Sequence, residues 1–224
     1  MAVVEFASGC SPPCVAVSAP GRALAPIRVD SINDYNLRPT MRESRDQMSN
    51  TPWITIAPPE EAAGDLRRAY DKILATRGRV PDIRSVMAGE PLVVEGFAYF
   101  YPENNYACSS IDRRLAEMIA TVAGVANGSK FGGPAHAKQL AQLTADHAFA
   151  DAILSDYTRA GLSKKERTLL DYVWKLSKTP GAMTQTDIDG LRAEGWTDPQ
   201  IVATVHVTSF FAYMNRVAEA FGLA

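Results

Sequence analysis

Residues 115–126 read Leu-Ala-Glu-Met-Ile-Ala-Thr-Val-Ala-Gly-Val-Ala, small and apolar on every side around a single ionisable group, Glu117. A helix that is apolar nearly all round must be wrapped by other elements. The run is well short of the roughly 20 residues a membrane span needs, so its wrapping has to be protein. A carboxylate inside such a helix must be paired, hydrogen-bonded or protonated, because burying it alone costs several kcal/mol. Two readings follow. Buried carboxyls that keep a proton near neutrality serve as general acids; alternatively Glu117 is a structural group satisfied by an arginine such as Arg113 or Arg216.

The remaining patterns also have helical period. Pro58-Pro59-Glu60-Glu61 opens a helix with inward Ala62, Leu66, Ala69, Tyr70 and Ile73, closed by Gly78. A second stretch follows Val80-Pro81-Asp82, carries Ile83, Val86, Met87, Leu92, Val93 and Phe97, and stops at Pro102. Ser109 or Ser110 is placed to cap the Glu117 helix, which ends at Asn127-Gly128. Pro134 starts another, with Leu140 and Leu143 inward, and a short helix runs through Phe149, Ile153 and Leu154. Ser163 with Glu166 forms a capping box before Leu169, Leu170, Val173 and Trp174. Thr184-Gln185-Thr186-Asp187 opens a helix ended by Gly195, and Asp198-Pro199 opens the last, through Phe210 and Val217 to Gly222. No segment alternates with period 2. The expectation is an all-α domain over residues 49–224.

Residues 1–48 differ in kind. They are rich in Pro, Ser and Gly without period, so the expectation is a disordered extension. They lack the basic-then-apolar pattern of a secretory signal, and Glu5, Asp30 and Asp34 argue against a transit peptide. Met48 is an alternative start. Cys10 and Cys14 match no standard metal or redox spacing, and three cysteines in 224 residues make no disulfide scaffold. A reduced, cytoplasmic setting is expected. A net charge of −2 with 21% charged residues gives no footprint for nucleic acid, and no apolar run suits a membrane.

A glycine-rich turn, Asn127-Gly128-Ser129-Lys130-Phe131-Gly132-Gly133, leads into a helix with His136 in its first turn. A histidine there faces free N–H donors and the positive end of the dipole, a setting that favours a neutral ring available as a base. The plainer reading is a capping or core histidine. His147 would share its face only if one helix ran through both, and His206 stands apart. Three histidines without ligand spacing make no metal motif.

Glu117 followed by Asn127-Gly128-x-x-Phe131-x-x-x-Ala135-His136 resembles the core of the carboxymuconolactone decarboxylase/alkylhydroperoxidase (AhpD-like) superfamily. Its redox members carry a Glu and then N-G-C-x-Y-C-x-x-A-H. Ser129 and Gly132 stand where the two cysteines would be. The chain's end, with Phe211-x-x-x-Asn215-Arg216, is similar to the peroxidase-related branch, and the likeness covers about residues 53–222. It implies an AhpD-like helical fold and, through helical assembly, a homo-oligomer, for which Phe210, Phe211 and Tyr213 offer aromatic surface unless they fill the core. Thiol peroxidation does not carry over, because a serine hydroxyl is no thiolate and glycine has no side chain. What carries over is the Glu117/His136 pair. Family decarboxylases dispense with cysteines and do cofactor-free proton chemistry. The resemblance therefore implies a lyase or isomerase acting on a small, anionic carboxylic acid or lactone, with no cofactor and no metal. Glu117 and His136 would move the proton, while Ser129, Lys130 and the amides of Gly132 and Gly133 would hold an oxyanion or substrate. Two alternatives stay open: a non-catalytic relic serving as a ligand-binding or oligomerising module, and a peroxidase using Cys108.

Overall fold

The structure, a computed structural model, describes residues 52–101, 108 and 110–223. The expectations for residues 1–48, including Cys10 and Cys14, and for a stop at Pro102 lie outside them. The described residues form nine α-helices with three short 3-10 turns and no strand, as the helical period predicts.

The apolar run becomes α4 (Arg113–Ala126), the central helix, with every residue from 115 to 124 buried. Its cap is Asp112, whose carboxylate accepts the Leu115 N–H at 2.8 Å, rather than Ser109 or Ser110. Burying Leu115 sets the register, and the cap must then be the residue just before Arg113. Around α4 pack α5 (Gly132–Thr144), α6 (His147–Asp156), α7 (Lys164–Lys178) and α9 (Asp198–Ala220). From α7, Leu169, Leu170 and Val173 are fully buried, each worth about 1.5–3 kcal/mol. The Ser163/Glu166 box caps α7, and a Thr184/Asp187 box caps α8 (Gln185–Ala193). The cap of α9 is Thr197, one residue ahead of Asp198.

The N-terminal part departs more from expectation. Pro59–Glu61 is only a 3-10 turn, and α1 (Gly64–Arg77) begins after Ala62; Gly78 ends it at φ 69°. The second stretch splits into α2 (Asp82–Ser85) and α3 (Pro91–Phe100). Pro91 excludes Glu90 from helical geometry, so no helix runs through. Leu92, expected inward, is 68% exposed, and Val93 is exposed too, while Val94 and Phe97 are buried. α1 lies against α3, where Lys72 pairs with Glu95, and α2 touches α9. Leu143, also expected inward, is 45% exposed in the last turn of α5. Ala145 at φ 53° and the Asp146 cap then separate α5 from α6, so His136 and His147 share no helix.

Candidate active site

α4 and α5 cross where glycine meets glycine. A Cβ on Gly124 would sit 2.4 Å from the backbone nitrogen of Gly133, so the two backbones touch. His136, one turn past Gly133, thereby comes against Glu117, two turns back on α4. The His136 Nδ1 lies 2.8 Å from Glu117 Oε2. Glu117 is 0% exposed, and its other oxygen accepts from Arg113 Nε at 3.4 Å. Arg113 in turn donates to Gln139 Oε1 at 3.4 Å, which also accepts from the Tyr101 hydroxyl at 3.3 Å. Arg216 plays no part: it donates to the Ala212 carbonyl and to Asn127 Oδ1.

This arrangement has a chemical consequence. A carboxylate is an acceptor only, so with Glu117 ionised Nδ1 must carry the imidazole proton, leaving the lone pair on Nε2. No side chain among the described residues bonds that nitrogen, and His136 lines a cavity of about 450 Å³. The ring is held edge-on to Phe211, centroids 4.1 Å apart.

The six residues singled out from sequence do not all meet. His136 and Gly132 line this cavity, and Glu117 sits behind its wall, reaching it only through His136. Ser129 is turned to local work, its Oγ accepting the Gly132 N–H at 2.9 Å at the start of α5. Gly133 lies in the helix crossing, and the Lys130 N–H donates to Glu219 on α9. None of those three lines the cavity. At Gly132 a Cβ would fall 1.9 Å from Asn215 Oδ1, so buried Asn215 holds the space a side chain at position 132 would need. Cys108 is absent from the cavity wall, and burial pushes its thiol up, away from thiolate. His147 and His206 are exposed, and no group of three His, Cys, Asp or Glu among the described residues has metal-site geometry.

Sequence reasoning missed the rest of the wall. Phe97, Phe210 and Phe211 line it, so two of the three aromatic residues expected as spare surface are cavity lining; only Tyr213, 46% exposed, is surface. Arg77, Arg79 and Arg84 line it as well, and their crowding into residues 77–84 was the signal available in the sequence. Among the described residues no helix is long and apolar enough to cross a membrane.

No family model matches the sequence, and no match is found among curated proteins. Solved structures do share its fold. An uncharacterised peroxidase-related protein with an alkylhydroperoxidase AhpD core, from Ralstonia eutropha JMP134, matches with a TM-score of 0.67 at 22% identity, over 77% of this chain and 91% of that one. A peroxidase-related protein from Silicibacter sp. TM1040 matches with a TM-score of 0.67 at 20% identity, over 81% and 95%. The debrominase Bmp8, as a variant in complex with 2,3,4-tribromopyrrole, matches with a TM-score of 0.62 at 16% identity, over 74% and 87%.

Proposed function

We propose that this chain, which has the AhpD-like fold, is a cofactor-independent acid–base enzyme, a decarboxylating lyase or isomerase acting on a small carboxylic acid or lactone. The observation that carries the reading is the 2.8 Å contact between His136 and fully buried Glu117 at the wall of a 450 Å³ cavity. Glu117 fixes the tautomer and orientation of the imidazole and stabilises the imidazolium once Nε2 takes a proton. In an isomerisation, Nε2 removes a proton beside a carbonyl and returns it to another carbon of the delocalised anion. In a decarboxylation, the C–C bond to the carboxylate breaks, carbon dioxide leaves, and the electron pair passes toward the carbonyl oxygen. Protonated Nε2 then delivers the proton to carbon and regains it from water. Arg113 and Gln139, on the same wall, are the donors for the developing oxyanion. Ser129, the Lys130 amide and Gly133, engaged away from the cavity, are not needed for it.

The test is turnover across a panel of small lactones and keto acids, read as carbon dioxide release or loss of the lactone. Glu117→Gln and His136→Asn keep shape and polarity, so both should stay folded by circular dichroism. Both should lose activity by about 10²-fold or more. Variants that unfold would instead identify a buried structural pair. Full activity in folded variants would remove the pair from the chemistry.

A further inference from the structure

Arg84 is a poor candidate for a structural arginine. It is 3% exposed, its Nη1 is buried without a hydrogen-bond partner, and no acid among the described residues pairs with its guanidinium. Its nearest compensation is the face of Phe97, 4.6 Å from its Cζ. Burial first, and then neighbouring Arg77, lower its pKa to about 10. An unpaired buried cation is held against a large desolvation penalty. Its surroundings make this worse. Arg77, Arg79 and Lys138 line the same cavity, no acidic side chain among the described residues does, and Arg113 is already matched by Glu117.

A row of rings along the cavity wall links Arg84 to His136. From Phe97, which carries Arg84, rings follow one another to Phe210 at 4.7 Å, Phe211 at 5.1 Å and His136 at 4.1 Å. Arg84 and the proton-transfer residue His136 are thus joined by an aromatic wall. We propose that Arg84, with Arg77 beside it, anchors the oxyanion head of an organic acid whose apolar body lies along Phe97, Phe210 and Phe211 toward His136. Anchoring follows from the arginine's own geometry; only the direction of the ligand, toward His136, rests on the acid–base reading. A carboxylate and a phosphate each offer a guanidinium a pair of acceptor oxygens, so the head is defined as an oxyanion.

Calorimetric titration of the full chain with 3-phenylpropionate, 3-phenylpropanol, phenyl phosphate and inorganic phosphate tests this. At least one of the two aryl anions should bind, about 10-fold or more tighter than the neutral alcohol, and whichever is tighter identifies the head. Arg84→Met should weaken that anion by roughly 10- to 100-fold, as expected for losing a charged hydrogen bond, with Arg84→Lys recovering part of it. Alcohol and acid binding alike, no binding of either aryl anion, or an Arg84→Met variant that binds like wild type would overturn the proposal. Inorganic phosphate binding as tightly as both aryl anions would overturn the role of the aromatic wall. Should Arg84→Met fail to fold, the acid–alcohol difference in wild type and the loss in Arg77→Gln decide the matter. The titration reads binding alone, so a failed turnover test leaves the anchoring result standing.

Discussion

At one end of the cavity Glu117 is completely buried, yet His136 meets one of its oxygens and Arg113 the other. At the other end Arg84 is nearly as buried, and its Nη1 meets nothing. The first charge is built into the fold, and removing it exposes its partners to the same penalty it escaped. The second charge works against the fold and becomes favourable only when an anion arrives. Burial alone therefore does not separate structural from functional charge; the presence or absence of a partner does.

The largest expected effect breaks the satisfied end. Glu117→Ala leaves His136 and Arg113 without their acceptor and should destabilise the chain by about 3–5 kcal/mol in urea unfolding. Glu117→Gln, which still accepts a hydrogen bond, should cost much less. A mild loss in the alanine variant would show that the pair is not what holds α4 and α5 together.

The opposite sign is expected at the other end. Arg84→Met removes an unpaired buried cation and keeps apolar volume against Phe97, so stability should rise by about 1 kcal/mol even as anion binding falls. The gain depends on pH. Because burial lowers the folded pKa of Arg84 to about 10, the folded chain releases that proton more readily than the unfolded one. The penalty in wild type is complete below the folded value and is progressively relieved as pH rises above about 10. The advantage of Arg84→Met should accordingly be larger at about pH 8 than at about pH 11 in thermal melts. A destabilised Arg84→Met variant would place the arginine with the structural charges.

The smallest effect should come from outside the cavity. Cys108→Ser should change neither the proposed acid–base turnover nor hydroperoxide reduction, which should be negligible with or without the thiol, since the thiol lies off the cavity wall and burial raises its pKa. Hydroperoxide turnover that vanished in this variant would reopen the thiol reading.

Much of this was legible in residue order. Glu117 stood out because it is the one ionisable group in an apolar run, and desolvation makes such a residue consequential wherever the run ends up. The Ser163/Glu166 box and the Thr184-Asp187 opening were readable because a cap is satisfied within three residues of itself. Errors fell where local signals compete or where exposure is set by neighbours. Three polar residues before α4 could have capped it, and the burial of Leu115 chose Asp112. Leu92, Val93 and Leu143 are apolar at helical spacing but stay exposed, and sequence carries no record of which faces are left uncovered.

The sequence by itself determined the all-helical character of the described residues, the central place of the 115–126 run, and the prominence of Glu117 and His136, since each depends on period, capping or the penalty of burying charge. The tertiary structure alone decided that Ser129 and Gly133 serve the helix junction, that Asn215 fills the space beside Gly132, and that Arg84 is buried without a partner. Those outcomes hang on how closely two backbones approach and on which side chains from α1, α2, α3, α5 and α9 share one cavity. Distances of that kind are set by helix packing across the whole domain, to which the period of any single segment is blind.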